Sequence, residues 1–397
     1  MNKRYLLLFL IVAAIQKPVE AQEYDLTGFE LSIDQDYFAD FLRDSTTLSD
    51  NYTVALRLGF YGALANHPYL ALPFVREKID GFLLDKILYN IGFRQERKSH
   101  NFVFTVVGFS PQHISDQIPD FAEDTLAGYS HFQDRPFSSF TGFRSTRRIE
   151  GNKLFVHSAR RLDMAINSSF TFGFASLGLV KSVENLFGAH RPDGNLWEQD
   201  GSKEYAVGQV NRSLMPVFMY QLAAEAVIWR PVKKLALQVR PELSLGYYTH
   251  LGLGFDIGKV MNVEKMVDNL SYTDTHNPGV LLVNNEHLSL AISAGAIARL
   301  VLYNAHLSGW FGWGDDHYIS FSDTKRVIYE AYAGIKLQAF KKVENNFSVN
   351  TRTAEFNLLQ AQRTSWGTFG LKILLAEEGE GCYDKWTLAL AFSLLLE

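Results

Sequence analysis

The chain has 397 residues and carries 38 Lys and Arg against 43 Asp and Glu, a net charge of −5 that offers nucleic acid no electrostatic footing. Its single cysteine, Cys382, excludes a disulfide framework. Thirty Phe, eighteen Tyr and six Trp bring the aromatic content to 14%, and much of it falls within or at the ends of alternating segments.

Lys3 and Arg4 precede an apolar run, Tyr5 to Ile15, and Val19-Glu20-Ala21 supplies small residues where a signal peptidase cuts. Residues 1–21 therefore read as a signal peptide, because roughly a dozen apolar residues cannot cross a ~30 Å hydrocarbon core as a helix. Residues 22–397 read as one domain, without internal repeat, low-complexity tract or proline-rich linker. No later segment holds eighteen consecutive apolar residues, so no helical span is expected. Membrane barrels escape that test. Only one face of each strand meets lipid, which leaves the mean hydropathy near zero, as it is here.

Gly28 to Phe38 opens the pattern, with Phe29, Leu31 and Ile33 on one face and Glu30, Ser32, Asp34 and Asp36 on the other. Tyr52 to Tyr61 repeats it, Leu56, Leu58 and Phe60 opposing Ala55, Arg57 and Gly59. Leu64 to Tyr89 breaks the alternation. Leu83, Leu84, Ile87 and Leu88 have helical spacing and read as a short amphipathic segment or a loop insertion. Further alternating runs at 101–109, 137–147, 154–166, 168–180, 216–229, 235–248, 287–303, 327–340, 354–375 and 385–396 bring the count to about twelve to fourteen strands.

Arg230–Lys234 and Lys341–Asn346 resemble short periplasmic turns, whereas Lys181–Val207 and Gly258–Asn285 are long and polar, as extracellular loops are. Trp229, Trp310, Trp313, Trp366 and Trp386 lie near strand ends and predict an interfacial aromatic girdle. The expected fold is all-β, a closed antiparallel transmembrane β-barrel of about twelve strands in a bacterial outer membrane. A soluble secreted β-sandwich that binds glycans would use the same alternation. The terminal Phe392-Ser393-Leu394-Leu395-Leu396-Glu397, which does not end on an aromatic, keeps that alternative open.

Asp34 and Asp36 are two apart and share the polar face of their strand. Carboxylates this close repel unless a cation or an arginine lies between them, and hard oxygen donors suit Ca²⁺. Solvated acids at a strand end fit the spacing equally. Asp315-Asp316-His317, beside Trp310 and Trp313, is a weaker metal candidate, since these residues also form turns. A Gly-x-Ser-x-Gly elbow, a His-Glu-x-x-His helix and a phosphate loop are all missing from the sequence.

Ile33-Asp34-Gln35-Asp36-Tyr37-Phe38, followed by Asp50-Asn51-Tyr52-Thr53, resembles the paired N-terminal signature of the outer-membrane lipid A deacylases, an Asn-Asp pair preceding Asp-x-Tyr-Thr. Phe109-Ser110-Pro111 with Asp134-Arg135-Pro136-Phe137-Ser138-Ser139-Phe140 is similar to the family's Thr/Ser-Pro and Asp-Arg-Pro-Tyr-Ala-Gly segments. A third match runs from Leu177-Gly178-Leu179-Val180 through Asn185-Leu186-Phe187-Gly188-Ala189 to Trp197-Glu198-Gln199. The matches keep family order over about the N-terminal half.

The resemblance implies a membrane-embedded, monomeric barrel that hydrolyses the ester joining the 3′ acyl chains to lipid A in the outer leaflet of lipopolysaccharide, with Ca²⁺ assisting. Asp36 matches the family's Asp, Thr53 the threonine of its Tyr-Thr, and Arg135 the arginine of its Asp-Arg. By that resemblance Asp34 and Asp36 would hold the cation, Gln35 and Thr53 would face the developing oxyanion, and Arg135 would clamp a glucosamine phosphate. Gln35 stands where the family has Asn, Glu184 where it has its catalytic His, and His190 where a supporting Glu is expected. A base that takes a proton from water works best with a pKa near the ambient pH, which histidine has unaided and glutamate reaches only through burial or a like charge. Glu184 and His190 are thus either a dyad with exchanged roles or the mark of a degenerate barrel with a lipid-binding, structural or transport role.

Overall fold

The computed structural model describes residues 26–35, 52–62, 65, 71–90, 93–109, 138–155, 160–175, 215–232, 235–258, 269–270, 274–275, 280–284, 288–309, 319–339, 343–357 and 363–377. The expected leader, 1–21, and the run at 385–396 lie outside them.

Eight strands come first: β1 (Leu26–Gln35), β2 (Tyr52–Tyr61), β3 (Phe93–Phe109), β4 (Ser138–Phe155), β5 (Arg160–Ala175), β6 (Met215–Val232), β7 (Leu235–Gly246) and β8 (Tyr248–Gly258). Helix α1 (Ala71–Asn90) joins β2 to β3. Then follow β9 (Asn269–Leu270), β10 (Asp274–Thr275), β11 (Val280–Asn284), β12 (Leu288–Asn304), the one-turn helix α2 (Ala305–Ser308), β13 (Val327–Ala339), β14 (Val343–Arg352) and β15 (Thr364–Glu377). Each long strand pairs antiparallel with its neighbour in order, β15 pairs with β1, and β12 pairs with both β13 and β8. The result is a closed barrel of twelve strands, whose ring has no open edge and which excludes the open β-sandwich. β11 pairs with the part of β12 that β8 does not reach.

Closure follows from the alternation. On β1 the polar set Glu30, Ser32 and Asp34 is buried while Leu31 is exposed, and on β8 His250 and Asp256 are buried while Leu251, Leu253, Phe255 and Ile257 are exposed. One face of these strands thus carries the apolar residues that hydrocarbon requires, and the other fills the lumen.

Chain parity sorts the connections. Those at 36–51, 110–137, 176–214, 305–326 and 353–363 emerge at one end, the mouth, together with the tight turn at Gly246 and Tyr247; those at 62–92, 156–159, 233–234, 259–287 and 340–342 emerge at the other, the base. With the shortest links concentrated there, the base has the periplasmic character. The long polar stretch at Gly258–Asn285 was expected at the extracellular end, and parity moves it to the base, where it contributes β9, β10 and β11.

Other features also differ from expectation. Residues 154–166 and 168–180 are not two strands: β4 ends at Phe155, and β5 runs uninterrupted through Ile166 and Ser168. β8 and β14 lie outside the expected runs. Lys341–Asn346 is a turn only at 340–342, since Val343 already opens β14. Trp366 does not join a girdle, because it is 1% exposed and points into the lumen.

The turn from β7 to β8 depends on Gly246, whose φ of 136° is open only to glycine, and whose Cβ, if present, would collide with the Phe218 carbonyl oxygen. Gly246→Ala is expected to cost about 1–3 kcal/mol of stability, read as a lower guanidinium midpoint in micelles.

Candidate functional site at the barrel mouth

Two layers occupy the mouth half of the lumen. The outer layer is apolar. Ala55, Val107, Phe140, Val217, Met219, Val301, Ile328 and Trp366 each lie within a few residues of the mouth end of their strands, and they pack with Tyr247, Tyr248 and Ala305 into one cluster. Phe140 and Tyr247 stack at 5.3 Å, and Tyr247 meets His306 of α2 edge-on at 5.6 Å. α2 is seated by its cap, Asn304 Oδ1 accepting from the His306 amide at 3.0 Å, and by the Ala305 amide donating to the Tyr247 carbonyl at 2.8 Å. Beside it the connections 305–326 and 353–363 share a small core of Leu307, Ile319 and Phe356.

Against the apolar layer lies a chain of buried ions contributed by β7, β8, β12, β13, β14 and the connection 353–363, from Arg352 and Glu355 at the mouth end to Arg240 and Asp256 further down. Arg299 donates through Nε to Glu242 Oε1 at 2.5 Å and through Nη1 to Glu330 Oε2 at 2.8 Å. Arg352 donates to Glu330 Oε2 and to Glu355 Oε1, both at 3.2 Å, and His250 Nε2 lies 2.9 Å from Glu242 Oε1. Towards the base Arg240 faces Asp256, which also accepts from the Tyr332 hydroxyl. Such groups are retained in a low-dielectric interior only when each charge meets an opposite one. His250 and Glu242 could not be picked from the sequence as a pair. The expected run ended at Tyr248, so β8, and with it the hairpin that sets His250 against Glu242 eight residues earlier, did not stand out from the sequence.

Asp34 stands buried on the lumenal face, as its parity predicts, and its carboxylate receives both terminal nitrogens of Arg57 on β2, Nη1 to Oδ1 at 2.9 Å and Nη2 to Oδ2. Of the two partners that the acid could have, a cation or an arginine, the one present is arginine. Ca²⁺ needs six to eight oxygen donors, and a guanidinium gripping both oxygens of Asp34 does not suit that ion. Among the described residues no three His, Cys, Asp or Glu come together as a metal set. Arg57 was legible as an inward polar residue of β2, but nothing in its own strand identified its partner.

Gln35 closes β1 opposite Gly367, and Asp34 pairs with Ala55, two residues from Thr53. The register of β2 against β3 shifts between Tyr52 and Val54, so Thr53 is the bulged residue at the mouth end of its strand. Asp36, Arg135, Glu184 and His190 lie outside the described residues; they belong to the connections 36–51, 110–137 and 176–214, all of which leave from the mouth.

No protein-family model matches the chain, and no curated protein matches it. Its fold is similar to that of solved outer-membrane barrels. LpxR from Salmonella typhimurium aligns with 88% of this chain and all of its own at 14% identity and a TM-score of 0.54. The β domain of the Bordetella autotransporter BrkA aligns over 88% of this chain and 99% of its own at 8% identity and a TM-score of 0.36, and the Pseudomonas putida toluene transporter TodX over 89% of each at 9% and 0.29. At these identities the likeness is one of fold, an outer-membrane β-barrel.

Proposed function

We propose that the protein is a lipid A deacylase-like hydrolase of the outer membrane, acting at the mouth of the barrel on an acyl ester of lipopolysaccharide. The observation that supports this most is positional: the strand ends and connections that bear Asp34, Gln35, Asp36, Thr53, Arg135, Glu184 and His190 all belong to one end. The apolar layer beneath them supports chemistry at the rim over passage through the lumen, since it puts hydrocarbon across the path that an ion would take.

In this reading Glu184, oriented by His190, takes the proton from the attacking water. Gln35 and Thr53 donate to the ester oxygen as it gains charge, and Arg135 holds a phosphate of the glucosamine backbone. Asp34 and Arg57 act as a neutral, rigid support under the first strand end, and the Ca²⁺ expectation passes to Asp36; no step here depends on the ion.

Expression in a host with intact lipid A, followed by mass spectrometry of that lipid, tests the reading. Loss of the 3′ acyl chains is expected, with Glu184→Ala slowing it by about a hundredfold. Unchanged lipid A from a folded, membrane-inserted protein points instead to the degenerate barrel.

A further inference from the structure

Helix α1 packs against the outside of the barrel wall. The wall positions beneath it, His100, Ser145, Arg147, Ser168 and Tyr220, share the parity of Phe102, Phe143, Phe172, Phe174 and Phe218, of which the last four are exposed on the lipid face. Left bare, these polar side chains would meet hydrocarbon, where an ionised group is costly unless paired.

The helix supplies the partners. Arg76 donates to Ser145 Oγ at 2.9 Å and lies 3.0 Å from His100 Nδ1. Asp80 accepts from Ser168 at 2.7 Å and from the Tyr220 hydroxyl at 2.8 Å, and lies 2.9 Å from Arg147 Nε. Leu84 and Leu88 complete the contact on Ile149 and Ile166.

This inverts the order of a helix in water, which hides its apolar residues and shows its charges. Arg76 and Asp80 are fully buried, while Phe82 is 69% and Tyr89 86% exposed, with Leu83 and Ile87 also outward. The exposed face is continuous with the apolar belt of the wall, Phe143, Phe172 and Phe174 lying towards the mouth and Ile228 and Trp229 towards the base. Two cations share it: Lys86 Nζ sits 5.1 Å from the Phe82 ring and Lys78 Nζ 5.2 Å from the Phe74 ring. The neighbouring acids are each matched by an arginine, Asp85 by Arg147 of the wall at 2.7 Å and Glu77 by Arg76 at 3.6 Å, while Lys78 and Lys86 point outward. Lysines beside an apolar face bury their stems along it and keep their ammonium groups at the headgroup level. Both ends of α1 are tethered to the base ends of β2 and β3, on the periplasmic side.

We infer that α1 is an in-plane helix embedded in the periplasmic leaflet and that Lys78 and Lys86 hold the phosphate of an anionic glycerophospholipid. The charged wall patch is then the dock of the helix, and the helix turns that patch into a lipid-facing surface.

The test uses the full chain in vesicles of phosphatidylethanolamine and phosphatidylglycerol. Spin labels at Phe82→Cys and Tyr89→Cys, each in a Cys382→Ser background, should collide with dissolved oxygen and be shielded from a water-soluble nickel complex. Native mass spectrometry should find phosphatidylglycerol retained by the unmodified protein and reduced about tenfold in Lys78→Gln/Lys86→Gln, with heat-modifiable migration on a gel confirming that the variant is folded. Nickel access at both labels overturns the embedding. Spin–spin broadening between copies assigns the face to a second protein chain, and equal phosphatidylglycerol retention in the lysine variant removes the headgroup contact.

Discussion

Arg299→Met is expected to lower the stability of the barrel by about 3–5 kcal/mol, because it removes the cation that Glu242 and Glu330 share and leaves two carboxylates buried on one wall. His250 near Glu242 and Arg352 near Glu330 compensate only in part, since each already serves its own geometry. The measurement is guanidinium unfolding in micelles, followed by tryptophan fluorescence. A control separates the loss of a cation from the loss of packing: Arg299→Met combined with Glu242→Leu and Glu330→Leu should recover much of the stability, because apolar groups of similar volume often replace a buried ionic cluster without cost. If the triple variant is no more stable than Arg299→Met alone, packing rather than charge explains the effect. The ions belong to β7, β8, β12, β13 and β14, so the network spans the β8–β12 seam where the chain leaves for residues 259–287 and returns.

The second large effect belongs to the apolar layer. Trp366→Ala removes the bulkiest member of that cluster, a side chain with 1% exposure, and the lost transfer energy together with the cavity should cost about 3–5 kcal/mol. It also removes the ring over which the Arg352 guanidinium sits at 5.2 Å. Because the cluster crosses the lumen, the same variant should raise ion conductance in a planar bilayer above the near-zero level expected of the unmodified protein. A large conductance from the unmodified protein would mean that the apolar layer does not seal the lumen, and the transport reading would then displace the hydrolase.

The likeness of this chain to a deacylase was drawn from three short segments in order, and the parity of the strands accounts for why their residues share an end. Asp34 and Thr53 stand on adjacent strands that meet at the mouth, whereas Arg135 and Glu184 belong to longer connections that begin there. A motif in a barrel loop carries little periodicity of its own, so its neighbours in space are set by strand order.

The chemistry of alternation was written in the chain wherever the two faces differ. β1 and β2 could be read residue by residue, because Leu31 against Ser32 or Leu58 against Arg57 is the contrast of a strand whose two faces meet unlike surroundings. Where the contrast fades, the reading failed. β14 places Glu344, Asn346, Ser348, Asn350 and Arg352 inward but has Asn345 and Thr351 among its outward residues, so both faces look polar. β8 has Gly252 and Gly254 on its inner face and resembles a loop. Yet Gly252 is small because the Glu242 side chain fills the space that its Cβ would need.

Local order thus pointed to a barrel of about twelve to fourteen strands with a polar interior, with a β-sandwich as the alternative, and to a short amphipathic segment or loop insertion after β2. Which acid meets which base, that Asp34 belongs to Arg57, that Trp366 turns inward, that α1 lies on the outer wall with its charges facing the strands, and at which end each loop emerges, all required the closed sheet. The physical reason is range. A strand's face is decided by its own period of two, whereas the partner of a buried charge is decided by register and closure between segments that lie tens to hundreds of residues apart in the sequence.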